Sequence, residues 1–229
     1  MNLNSQTALK SDDIEQSVTR IRPGPGRPRR DQVEQRNAEL LDRALDLFLE
    51  RGFERTTIDA IAASVGMAKR TVYARYGDKA TLFRAALQRA IENLVVPVEE
   101  LRAAEREGIE DCLLSIARIL VANLMSREGL RLMRITNSEA YRMPEIGAYT
   151  YDRGTRVTIA YLADLFRRLK RVEGRAMAEA EAEDAAVAFL NLLGGPARTT
   201  AWGMELDAAE IDRQTRYRVG LFIHGVFPK

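Results

Sequence analysis

Between Lys69 and Lys79 the chain gathers Lys69, Arg70, Thr71, Tyr73, Arg75 and Lys79. These side chains donate hydrogen bonds through ammonium, guanidinium and hydroxyl groups, the chemistry suited to phosphate oxygens and base edges. Lys69 and Arg70 suit guanine O6 and N7, and Thr71 suits a base edge or the thymine methyl. Other reactive residues are sparse. The single His224 stands in an apolar C-terminal stretch and the single Cys112 among leucines, whereas zinc or iron catalysis needs several His, Cys or carboxylate ligands. We read His224 as a packed or interface histidine and Cys112 as a small buried hydrophobe. Neither a glycine-rich phosphate loop nor a Gly-x-Ser-x-Gly elbow occurs. The carboxylates Glu99-Glu100 and Glu179 to Asp184 lie in Ala-rich polar stretches that read as solvated helix faces. A non-enzyme without metal or cofactor is expected.

The elements around the donor run read as helices. From Gln32 onward Val33, Leu40, Leu41, Ala44, Leu45, Phe48 and Leu49 share one face of a first helix that Gly52 stops. Thr57 can cap a short second helix with Ile58, Ile61 and Ala62 inward, ended by Gly66. Residues 69–76 form a third helix, with Val72 and Tyr76 inward and the donors on its other faces. Two short helices joined by a tight glycine-containing turn make a helix-turn-helix. Asp78 then caps a helix running toward Pro97, and longer helices follow at about 108–126, 128–142, 144–172, 181–203 and 208–226. No strand pattern appears, so the expected fold is all-α: a three-helix DNA-binding domain over 32–78, a helical domain over 79–229, and a basic arm over 1–31.

The run from Val65-Gly66 through Lys69-Arg70-Thr71-Val72-Tyr73 to Tyr76-Gly77-Asp78-Lys79 and Leu82-Phe83 resembles the signature of the TetR family of bacterial transcription regulators. The resemblance covers residues 35–84. It implies that α-helical residues 69–76 enter a major groove, that Tyr73 and Lys79 contact phosphates, and that Thr57 caps its helix beside one. These three position the protein, while Lys69, Arg70 and Thr71 specify sequence. Ala68 departs from the Ser or Thr the family often carries before this helix and cannot cap it.

Net charge is only +2, yet residues 1–85 hold 15 Lys/Arg against 12 Asp/Glu, and residues 86–229 hold 20 against 21. Arg20, Arg22, Arg27, Arg29 and Arg30 fall in an acid-free stretch. Gly26-Arg27-Pro28 resembles the core of AT-hook segments, which implies an arm laying Arg27, Arg29 and Arg30 along a minor groove. With one cysteine, no apolar signal segment and no long apolar run, a cytoplasmic protein without membrane contact is expected.

The family resemblance also implies a small-molecule pocket and a homodimer formed by the last two helices. Residues 130–153, with Leu130-Arg131-Leu132-Met133-Arg134-Ile135 and Met143-Pro144-Glu145-Ile146, resemble the AefR-like C-terminal domain. Met125, Met133, Asn137, Tyr141, Tyr161, Phe166 and Trp202 combine polarizable apolar groups with polar handles and are candidate pocket residues for a small, mainly apolar effector. Phe189, Leu193, Ile211, Thr215, Val219 and Phe222 form helical stripes that could build a two-fold interface. Gly194-Gly195-Pro196 should break the first stripe. The expected function is a ligand-responsive, sequence-specific DNA-binding regulator, a homodimeric repressor on a pseudo-palindromic operator. Activation, and a DNA-binding regulator or architectural protein without a ligand, remain open alternatives.

Overall fold

Leu40, Leu41, Ala44, Leu45, Leu47 and Phe48 recur at helical spacing and lie buried along one side of α1 (Arg30–Arg55). The computed structural model describes residues 30–139, Tyr141 and residues 144–227, all-α among the described residues. Gly52, at φ 77° and ψ 162°, interrupts the α1 helix in a conformation that L side chains rarely adopt. Just beyond it the fully buried Thr56 hydroxyl donates within reach of the Leu47 and Gly52 carbonyl oxygens, at 3.0 and 2.8 Å. The kink thereby has a partner for the carbonyls it leaves.

α2 (Ile58–Ser64), α3 (Lys69–Tyr76) and α4 (Lys79–Leu94) complete the N-terminal unit. Thr57 Oγ1 accepts from the Ala60 N–H and Asp78 from the Thr81 N–H, so both helices begin with a side-chain cap. α3 begins at Ala68 with no side-chain cap, as its sequence implies. Phe48, Phe53 and Phe83 stack at the centre, with Phe48 and Phe83 edge to face at 4.8 Å. Val72 from α3 and Leu82, Phe83, Ala86, Leu87 and Ile91 from α4 close this core.

α5 (Val98–Ala103), a short helix beyond the sequence reading, leads to α6 (Ile109–Met125) and α7 (Arg127–Glu139). The expected helix over 144–172 is three pieces: α8 (Pro144–Thr150), a π-helical turn (Tyr151–Thr155) and α9 (Arg156–Val172). α10 (Glu179–Leu193) and α11 (Gly195–Ala201) part at the Gly194-Gly195-Pro196 break, and α12 (Ala208–Val226) follows. Phe166, Phe189, Phe222 and Phe227 interlock in the second core, with Phe189 and Phe222 centroids 4.8 Å apart. Glu105 receives Arg168 in a fork at 2.8 and 2.9 Å and the Tyr161 hydroxyl at 3.1 Å, tying the α5–α6 loop to α9.

One helix joins the two cores. Gly129 lets α7 begin against α6, since a Cβ there would lie 2.5 Å from the Asn123 carbonyl oxygen. From that start α7 sends Leu132 and Ile135 into the N-terminal core, and Arg131 pairs with Asp46 of α1 at 2.6 Å. The N-terminal core therefore runs past residue 78, through α4 and onto α7.

Candidate nucleic-acid interface

α3 buries Val72 completely and half-buries Tyr76, whose hydroxyl bonds Asn37 Oδ1 of α1 at 2.5 Å. This anchoring turns the opposite faces outward, so Lys69, Arg70, Thr71, Tyr73 and Arg75 are exposed together on one short helix. No acid lies within α3. Asp59 of α2 accepts from Lys69 Nζ at 2.8 Å, while the same ammonium stands 5.5 Å from the Tyr73 ring centroid. The Asp59 hydrogen bond raises the Lys69 pKa above its ordinary value, so the lysine keeps its charge at neutral pH.

Lys79 has a second task. Its ammonium donates to the Phe53 and Glu54 carbonyl oxygens at 2.8 and 3.1 Å and sits 4.5 Å from the Phe53 ring centroid. It caps the end of α1, leaving one N–H for a phosphate. Thr57 is exposed with its oxygen already accepting from Ala60, so its hydroxyl proton is the group left to donate outward. Arg30 is exposed and paired with Glu34 at 3.1 Å. Arg27 and Arg29, and with them the arm expectation, lie outside the described residues.

A cavity of about 380 Å³ opens between the ends of α4 and α6, α7, the π-helical turn and α10. Ile91, Leu94, Leu120, Leu132 and Met133 give it apolar walls, and Asn123, Thr136, Asn137, Thr158 and Asn191 give polar ones. Among the described residues that line it, none is charged. Ile91 and Leu132 belong at once to this wall and to the N-terminal core.

Of the candidate pocket residues, Met133 and Asn137 line the cavity and five do not. Tyr161 and Phe166 are buried in the second core, against Glu105 and the other phenylalanines, and Met125 packs at that core's edge. Tyr141 and Trp202 are 95% and 75% exposed. Residue type misled here, because the aromatic side chains were consumed in filling the core, while the cavity is lined by aliphatic and small polar groups whose local sequence is unremarkable. The dimer stripes are corrected for a related reason. Phe189, Leu193, Thr215, Val219 and Phe222 are buried within the protomer's own second core and Ile211 packs against it. Thr215, too, spends its hydroxyl on the Ile211 carbonyl at 2.7 Å. The outward faces of α10 and α12 instead show Val187, Tyr217 and Leu221.

An anchored short helix, presenting donors from the second position of a two-helix turn, defines the helix-turn-helix class of DNA-binding proteins. Residues 40–86 match the family model described as bacterial regulatory proteins, tetR family, and residues 111–224 match the AefR-like transcriptional repressor C-terminal domain. The chain belongs to the TetR family of transcription regulators. It is 45% identical over 62 residues to an HTH-type transcriptional regulator of Mycobacterium bovis, a match spanning 27% of this chain and 31% of that one, under a third of its length. A TetR-family regulator structure from Mesorhizobium loti superposes with a TM-score of 0.71 at 26% identity, covering 84% of this chain and 96% of that one. The structure of the Flavonoid-responsive Regulator FrrA gives a TM-score of 0.63 at 28% identity, covering 83% and 97%.

Proposed function

We propose that this chain is a homodimeric, ligand-responsive repressor that binds a pseudo-palindromic operator in the cytoplasm. The observation that carries the reading is the sharing of Ile91 and Leu132 between the cavity wall and the core that supports α3. Packed interiors do not deform smoothly, so a molecule filling the cavity repositions α4 and α7 and with them the recognition helix. A ligand that prefers the altered spacing lowers DNA affinity by its differential affinity for the two states, and DNA weakens the ligand by the same factor.

The uncharged lining selects a neutral, mainly apolar ligand with a few hydrogen-bonding groups, for which Asn137 and Thr136 are the handles. The likeness to the Flavonoid-responsive Regulator FrrA supports a ligand of that kind. Repression is supported by the AefR-like repressor domain match. The outward Val187, Tyr217 and Leu221 form the contact between protomers, which sets two recognition helices about 34–36 Å apart in successive major grooves. Tyr73, Lys79 and Thr57 hold phosphates, and Lys69, Arg70 and Thr71, with Arg75 at the margin, face the bases.

Selection of bound duplexes from a random pool, followed by competition with a neutral flavanone, tests the reading. Enrichment of an inverted repeat, with release as the flavanone is added and retention in an Asn137→Phe variant whose cavity is filled, is the expected result. Enrichment of nothing would remove the sequence-specific regulator, and a repeat that no neutral ligand releases would leave a regulator without an effector.

A further inference from the structure

The Asp59–Lys69 contact joins the two helices of the DNA-reading motif on their open side, with side chains 58% and 56% exposed. Lysine at the first position of α3 places a cation at a helix N-terminus, which the helix dipole disfavours. Asp59 offsets that charge. Its carboxylate accepts one of the three ammonium N–H groups at 2.8 Å, and Tyr73 flanks the same ammonium. Two lysine donors and the second carboxylate oxygen, Oδ1, remain for another partner.

We propose that Asp59 and Lys69 read a G·C base pair as one ion-paired unit, the lysine donating to guanine and the aspartate accepting from cytosine. It rests on the reading that α3 enters the major groove. There a G·C pair presents guanine N7 and O6 as acceptors beside the cytosine N4 amino donor. O6 and N4 are hydrogen-bonded to one another within the base pair, so they sit about 2.9 Å apart, and an ammonium and a carboxylate held together by a 2.8 Å hydrogen bond through Asp59 Oδ2 can face the two side by side. The lysine's two remaining donors meet N7 and O6, and the aspartate meets N4. An A·T pair offers N7 and then the N6 amino donor, so one lysine donor would face another donor. Because the unit carries no net charge, it contributes discrimination without adding to the salt-dependent attraction for phosphates.

Asp59 also lies in the first turn of α2, where a carboxylate favours the helix for a reason unrelated to DNA. The test separates the two roles by base preference. Random-duplex selection is run on the full chain as wild type, Asp59→Asn, Lys69→Met and the double variant, with thermal melting of each. In the wild type each half-site is expected to carry a fixed G·C pair. Each single substitution lowers discrimination at that pair roughly tenfold and leaves the other positions intact. The double variant discriminates no worse than Lys69→Met. Freed of its partner, Lys69 in Asp59→Asn also steepens the slope of log K against log salt by about 0.9. The inference is overturned if the position selects A·T, if Asp59→Asn lowers the melting temperature while base preference stays, or if every position weakens equally. A wild type that enriches no duplex overturns both this and the DNA-reading function beneath it.

Discussion

Lys79 and Tyr73 are both proposed phosphate contacts, yet the structure gives them different second duties. Lys79 holds two carbonyls at the end of α1, whereas Tyr73 is 42% exposed and only its ring, beside the Lys69 ammonium, is engaged among the described residues. Lys79→Ala is expected to cost about 1–2 kcal/mol of stability as well as DNA affinity, seen as a melting temperature several degrees lower. Tyr73→Phe should weaken binding with the melting temperature unchanged, and equal melting for the two variants would refute the division. Thr56 is the buried counterpart: Thr56→Val leaves the Leu47 and Gly52 carbonyls without that donor and should cost about 1–2 kcal/mol in chemical denaturation. At Glu105, the Arg168 fork and the Tyr161 hydroxyl depress the carboxylate pKa below its ordinary range. A depressed folded pKa means stability present above the unfolded pKa and lost as pH falls through the folded one. The melting-temperature gap between wild type and Glu105→Gln should therefore be full near neutrality and close with acidification below the usual glutamate range.

Among elements, α3 is the one whose start is left open. With Ala68 offering no side chain to its first N–H groups, Ala68→Ser should add about 1 kcal/mol by supplying the missing acceptor. A melting temperature that does not rise would show that those groups are already satisfied. The recognition helix, its Thr57 and Asp78 neighbours and the Gly194 break were legible in the sequence because capping, turn residues and helical period are local signals. The role of α7 was not. Its periodicity announces an apolar face at Leu132 and Ile135 but carries no information on which core that face enters. The α10 and α12 stripes failed for the same reason: burial inside a protomer and burial between protomers leave one hydrophobic pattern, and Phe189 and Phe222 serve the first. Cavity residues such as Asn123 and Thr158 escaped because unfilled space has no residue signature, and Asp59 escaped because its partner Lys69 lies across a turn.

At the scale of the molecule, two cores meet through α7, and the cavity lies against that junction. Leu132→Ala removes buried volume from both sides and should cost about 2–5 kcal/mol. Operator affinity is expected to fall further than in an equally destabilised variant of the second core, such as one at Leu113, and matched affinities would break the proposed coupling. Leu221→Glu, on the exposed face of α12, should yield monomers by sedimentation with their fold intact, and dimers surviving the change would place the contact elsewhere. That two copies of one helix-turn-helix read one duplex is tested most directly by hydroxyl-radical footprinting of a selected operator. Two equivalent protected patches, centred about 10–10.5 base pairs apart and both lost in Leu221→Glu, are the predicted result. A single patch, or protection that is uniform along the duplex, would contradict it.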